Sequence, residues 1–148
     1  MTTEQMLENI NNKIPITQHM GLKVVECQLN EVSIAADFEK NRNHKMTAFG
    51  GSVATVLTLS CWAWITNYLD AQNLQNVEVS IHKCQIEYQK PIQQDFVATC
   101  YGTNDVESFN KMLLKKNKGR LHLTAEIKNN EGEVIVQFQG DFVAYKVN

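Results

Sequence analysis

The chain has 148 residues, 43% of them hydrophobic and 20% charged, with a formal net charge of -2. That length suits one domain with a sizeable core, so residues 1–148 are read as a single domain. The near-neutral balance implies no broad electrostatic pull toward nucleic acid or a membrane surface. The opening stretch, MTTEQMLENINNK, carries acids and no apolar segment, so no secretory signal is expected and the setting reads as cytoplasmic. Cys27, Cys61, Cys84 and Cys100 lie far apart and form no CxxC; they read as free buried thiols. His19, His44, His82 and His122 show no metal-ligand spacing, so neither a metal nor another cofactor is expected.

In chain order, Thr3–Asn12 reads as a short amphipathic helix, with Thr3 able to cap it and Met6, Leu7 and Ile10 on its apolar side. Pro15 stops it. Leu22–Leu29 is strand-like with an irregular phase. After a turn at Asn30-Glu31, the alternation of Val32, Ile34, Ala36 and Phe38 gives a half-buried strand. Residues Glu39–Thr47 are polar and lead to Gly50-Gly51. Ser52–Leu69 then has no charge, no Pro and no internal Gly, and is too long for a typical strand, so it reads as a helix. Val53, Val56, Leu57, Leu59, Trp62, Ile65 and Leu69 go most of the way round it, which predicts burial on most sides. Ser52, Thr55, Thr58, Ser60, Thr66 and Asn67 interrupt the run, whereas a membrane span needs about 20 mostly apolar residues. The rest of the chain is expected to wrap this helix. Its N-terminal N–H groups, unpaired and partially positive, would stabilise a carbonyl oxygen becoming an oxyanion.

Beyond the helix, Val77–Tyr88 is a strand whose phase changes between Ile81 and Cys84, predicting a bulge. Asp95–Tyr101 is a second, shorter strand. Asp105–Lys118 reads either as a short helix or as an irregular connection. Leu121, Leu123, Ala125 and Ile127 alternate, Asn129–Gly132 turns, and the alternation resumes from Val134 to Ala144. Four successive strands predict an antiparallel meander, and the whole an α+β fold: a curved antiparallel sheet around one long helix.

Asn-x6-Gly-Gly at the head of the long helix resembles the hotdog fold of thioesterases and acyl dehydratases. Closer still is the resemblance to the thioesterase-like domain at the C-terminus of YiiD-type proteins. It is carried by Asn43-His44, Thr47–Ser52, Thr58-Leu59 and Trp62, then Ile86-x-Tyr88-x-x-Pro91-Ile92 and Asp95-Phe96, and finally Lys118–Arg120 and Gly140-x-Phe142-Val143-Ala144. The resemblance implies hydrolysis of an acyl thioester on coenzyme A or acyl carrier protein, at a site in the interface of a homodimer or dimer of dimers. In the wider PaaI-like thioesterases the corresponding Asn falls on Asn43, and the Gly whose N–H meets the thioester carbonyl falls on Gly50. Their catalytic Asp or Glu falls on Thr58, and their His before the Gly pair on Phe49. An ordinary threonine hydroxyl is a poor general base near neutral pH without a partner.

The candidate catalytic residues are therefore Asn43, His44, Gly50, Gly51 and Thr58. Gly50 and Gly51 either supply the oxyanion contact or merely make a tight turn. Asn43 places substrate or water, or caps its loop. His44 is the candidate base or an exposed loop residue. Thr58 hydrogen-bonds water or substrate, or its own helix carbonyl. Phe49, Ser52, His82 and Lys83 are candidate substrate contacts, the last two equally readable as a solvated strand face. Lys111, Lys115, Lys116, Lys118 and Arg120 form a basic cluster that would suit the phosphates of coenzyme A, although charge runs are usually solvated. Asp37, Glu39, Glu87 and Asp95 are strand-end acids among which the sequence does not choose. A dehydratase would need a His and an acid together, and the N-terminal half of the helix offers no acid. The alternative function is a non-catalytic acyl-thioester binding protein, which the missing acid at Thr58 favours.

Overall fold

The computed structural model describes residues 1–148. Two short elements precede the sheet. Helix α1 (Thr3–Lys13) starts one residue earlier in its capping than the sequence suggests: Thr2, not Thr3, is the N-cap. Its hydroxyl accepts from the Gln5 N–H, and the Gln5 side chain accepts from the Thr2 N–H. This reciprocal box satisfies two otherwise orphaned donors, and it sets Met6 and Ile10 fully into the core. Pro15, which fits the first turn of a helix because it lacks an N–H, opens a 3-10 turn at Pro15–His19.

The central helix, α3, spans Gly50–Ala71, and a short α2 (Phe38–Asn41) precedes it. Apolar residues on most sides of α3 bury it against the sheet, and Ser60 and Trp64 are buried with them. Each finds a partner: the Ser60 hydroxyl donates to the Leu57 carbonyl at 2.7 Å, and the Trp64 indole N–H to the Leu29 carbonyl at 2.9 Å. A stripe of Thr55, Thr58, Trp62 and Thr66 stays only half-buried. These positions recur every three or four residues and so share one face. No helix is long and apolar enough to cross a membrane.

Six strands form one wholly antiparallel sheet in the order β1-β2-β4-β5-β6-β3. They are β1 (Leu22–Cys27), β2 (Val32–Ala36), β3 (Val77–Tyr88), β4 (Phe96–Cys100), β5 (Lys118–Lys128) and β6 (Val134–Lys146). The curved sheet around one long helix is the expected hotdog architecture. The irregular phase of β1 is a register shift between Val24 and Glu26, and the expected bulge in β3 lies between Ile81 and Lys83. The four-strand meander is a correction. β3 crosses over to pair with β6, and of the four strands after the helix only β4, β5 and β6 are neighbours in sequence order. Strand length accounts for this: β3 has 12 residues and β6 has 13, whereas β4 has 5. Pairing β3 with β4 would leave most of its backbone groups without ladder partners.

The stretch left open between β4 and β5 folds as α4 (Glu107–Lys116), which buries Phe109 and Leu113 and ends at Asn117 with φ 59°. Cys27, Cys61 and Cys100 are buried and free, but Cys84 is exposed on β3, against the expectation for all four. β3 and β1 are the sheet's two edges. β3 is little covered: Ile81 is 40% and Tyr88 51% exposed.

Candidate active site

The approach to α3 is held from several sides. The Asn41 amide is buried and donates to the Met20 and Asp37 carbonyls at 2.8 and 2.7 Å. The Asn41 carbonyl in turn accepts from the Phe49 N–H at 2.7 Å, and the Ala48 N–H donates to the Ile92 carbonyl at 2.8 Å. These bonds fix Phe49 as N-cap, with extended backbone and no side-chain cap. The first N–H groups of a helix have no intrahelical acceptor, and no loop or side-chain acceptor reaches those of Gly50, Gly51 or Ser52. Three donors thus stand open at the positive end of the central helix.

The two glycines differ in their surroundings. A Cβ on Gly51 would lie 2.6 Å from the Phe49 ring, which is folded over it, whereas one on Gly50 would lie 3.7 Å from the Tyr88 hydroxyl, an ordinary contact. The Tyr88 hydroxyl donates to the Gly50 carbonyl at 2.8 Å. The end of β3 is thereby fastened to the first turn of α3. Desolvation, with Cys84 nearby, raises the Tyr88 phenol above its ordinary pKa and keeps it a donor. Sequence reading did not single out Tyr88 as a site residue; its place in the alternation of β3 gave no sign that it meets a helix N-terminus.

Asn43, His44, Phe49, Gly50, Gly51 and Ser52 gather around this end of the helix by chain continuity. The Asn43 side chain is committed locally. Its oxygen accepts from the Lys45 N–H at 2.9 Å and the Thr47 N–H at 3.2 Å, and its amide donates to the Thr47 hydroxyl at 2.9 Å. That is a loop-capping geometry, and one amide hydrogen remains free. His44 is exposed and makes no side-chain hydrogen bond. Phe49 is 57% exposed. Thr58 lies two turns into the helix on its half-buried stripe, and its hydroxyl donates to the Ala54 carbonyl at 2.8 Å, leaving only its acceptor capacity open.

His82 and Lys83 are not part of this group. They sit at the β3 bulge, opposite Asp141, and His82 lines an outer-surface hollow with Arg120, His122 and Asp141. In an extended strand they are roughly 15–20 Å from Tyr88. Three of the four acids left open by the sequence have structural partners. The Asp37 carboxylate caps α2 through the Lys40 N–H, Glu39 pairs with Arg42 at 2.6 Å, and Asp95 accepts from the Phe38 N–H at 2.7 Å. Glu87 lines a separate hollow on the outer face of the sheet. The arrangement therefore offers open backbone donors and polar side chains at the helix end, and none of these four acids donates to or accepts from the first turn of α3. No group of three or more His, Cys, Asp or Glu is arranged to hold a metal.

The long helix wrapped by one antiparallel sheet defines the class: a hotdog-fold protein. The chain belongs to the family described as "Putative thioesterase (yiiD_Cterm)", whose model matches residues 3–146. Among solved structures it is similar to a protein of unknown function from Chlorobaculum tepidum, with 24% identity and a TM-score of 0.91 over 98% of this chain and 94% of that one. A putative thioesterase from Shewanella oneidensis superposes with a TM-score of 0.83 at 19% identity, over 97% of this chain and 96% of that one. The PaaI protein of E. coli, from a phenylacetic acid degradation operon, gives a TM-score of 0.68 at 12% identity, over 99% of this chain and 94% of that one. No curated protein matches the sequence.

Proposed function

We propose that this protein hydrolyses an acyl thioester carried by coenzyme A or an acyl carrier protein, in the cytoplasm, at a site shared between two copies of the chain. The observation that carries the reading is the uncapped N-terminus of α3, with the N–H groups of Gly50, Gly51 and Ser52 free of acceptors. In hydrolysis, water adds to the thioester carbonyl, the oxygen becomes an oxyanion beside these donors, and the thiolate departs and is protonated. Donors already aimed at the developing charge need no reorganisation at that moment. Asn43 and Thr58 position water or substrate with their remaining hydrogen-bonding capacity. His44 is the base, its imidazole taking the proton of the attacking water. Phe49 and Ser52 contact the acyl group or carrier at the mouth. His82 and Lys83, remote from Gly50 of their own chain, contact substrate only across the subunit seam. The wet edge of β3 and the half-buried face of α3 support an interface there, because a second copy would cover both.

A second reading, a non-catalytic acyl-thioester binding protein, is favoured by one feature: Thr58 stands where the PaaI-like pattern has an acid, and its proton is spent on Ala54. Thiol release from a panel of acyl-CoA and acyl-carrier thioesters, with binding measured in parallel, separates the two. Gly50→Ala keeps the N–H but sets a methyl beside it that would obstruct the substrate or move the donor, so turnover should fall, by up to the about 10²–10³-fold that loss of one oxyanion donor costs. The chain should stay folded, because the added Cβ meets Tyr88 only at ordinary contact distance. Thr58→Val keeps shape and removes the hydroxyl. Unchanged rates in both variants, with unchanged melting curves, would exclude this site. Binding without thiol release, and release gained on Thr58→Asp in folded protein, would establish the second reading.

A further inference from the structure

Helix α4 and the start of β5 enclose a cleft of about 520 Å³, lined by Ser108, Phe109, Met112, Lys116, Lys118 and Arg120 over the backbone of Gly119. Its floor is close-packed: a Cβ on Gly119 would lie 2.8 Å from the Phe109 ring. Its rim is cationic. Of the chain's 14 lysines and arginines, Arg42, Lys90, Lys111 and Lys128 pair with a carboxylate; Lys116, Lys118 and Arg120 are among the majority that do not, and what sets them apart is that all three line this one cleft. Lys116 sits in the last turn of α4, where a cation complements the helix dipole. No such reason applies to Lys118 and Arg120, which project from a strand. In a chain of net charge -2, three unpaired cations around one cleft favour an anionic ligand.

The cleft's position matters as much as its charge. α4 is anchored to the far end of α3: Tyr68 and Asn110 exchange hydrogen bonds at 2.9 and 3.2 Å, and Tyr68 packs on Phe109. Tyr68 is about 27 Å along the helix from Gly50. β3, however, runs from Val77, paired with Lys146 beside Lys118, to Tyr88 on Gly50. Two β3 edges paired antiparallel would set the Val77 end of one copy beside the Tyr88 end of the other.

We infer that the α4–β5 cleft binds the adenosine 3′,5′-bisphosphate end of coenzyme A and presents the thioester to Gly50 of a second copy. The inference rests on the thioesterase reading and deepens it, since it selects coenzyme A over a carrier protein, which has no nucleotide. The methylene stems and Met112 receive the purine, and Lys116, Lys118 and Arg120 receive the phosphates. Arginine does so through paired N–H donors and lysine as a point charge.

The test is calorimetric titration of the full chain with adenosine 3′,5′-bisphosphate, with inorganic phosphate and adenosine as separate ligands. The bisphosphate should bind, and more tightly than phosphate or adenosine. Lys118→Gln combined with Arg120→Gln, both on an exposed face, should weaken it about tenfold or more without moving the melting temperature much. No bisphosphate binding by the unaltered protein, phosphate binding equally well, or affinity unchanged in the folded double variant would each overturn the inference. Because the readout needs no turnover, nucleotide binding by a protein that releases no thiol would sink only the hydrolytic reading. Hydrolysis of carrier thioesters without nucleotide binding would sink only this one.

Discussion

Tyr88 is the residue on which strand and helix meet, and replacing it separates packing from hydrogen bonding. Tyr88→Phe keeps the ring and removes the donor to the Gly50 carbonyl. A hydrogen bond of this kind contributes about 0.5–1.5 kcal/mol, so a small fall in melting temperature is expected, together with lower turnover if the first turn of α3 loosens. A heavier penalty falls on Gly102. Its φ is +69°, and an added Cβ would lie 2.2 Å from the Trp64 indole. Gly102→Ala should cost about 1–3 kcal/mol from overpacking and about 1–2 kcal/mol from the left-handed backbone, measurable by urea unfolding. At Asp141 the effect is electrostatic. The His122 Nδ1 hydrogen bond, 2.6 Å long, holds its carboxyl below the ordinary value, against a smaller desolvation effect. A lowered carboxyl pKa favours the folded state above the unfolded pKa, and that contribution disappears as pH falls through the folded value. His122→Gln should shift the Asp141 carboxyl titration upward, read by carbon NMR.

Among the elements, α1 and β3 differ in how they are secured. α1 holds its place through Met6, Ile10 and the Thr2–Gln5 box. Thr2→Ala should therefore cost about 1 kcal/mol, and Ile10→Ala about 2–5 kcal/mol, in chemical denaturation. The helix α3, the bulge of β3 and the alternation of β5 and β6 were legible because burial imposes periods of 3.6 and 2 on apolar residues. Strand order was not: the alternation of β3 says which face is buried and nothing about its neighbour. The preference for β6 over β4 emerges only from matching lengths across the sheet. α4 stayed ambiguous because Ser108, Asn110 and Asn117 weaken a helix whose stability comes from burying Phe109 and Leu113. Gly50-Gly51 marked where the helix begins, but both residues form its first turn rather than a turn ahead of Ser52. The loop cap made by Asn43 and the back-bond of Thr58 to Ala54 are local contacts that the sequence already offered as alternatives; the reach of Tyr88 to Gly50 depends on a three-dimensional contact that spacing does not encode.

At the scale of the whole molecule, a 12-residue edge strand with Ile81, Cys84 and Tyr88 uncovered is expected to pair with a second copy. Sedimentation at micromolar concentration should give a dimer or a dimer of dimers, and Ile81→Glu should shift it toward the monomer. A folded, fully active monomer would contradict the shared-site reading. Cys84 gives an independent check. As the one exposed thiol, it should react with an alkylating reagent faster in the Ile81→Glu protein than in the unaltered one.

If two copies pair along β3, the Tyr88–Gly50 bond would link that assembly to the state of the helix N-terminus. A strand held on both sides keeps Tyr88 in place, and an unpaired one lets it fluctuate. Rate per chain should then not be constant with enzyme concentration. Dilution through the association range should lower specific activity and leave the melting temperature concentration-dependent, and reconcentration should restore both.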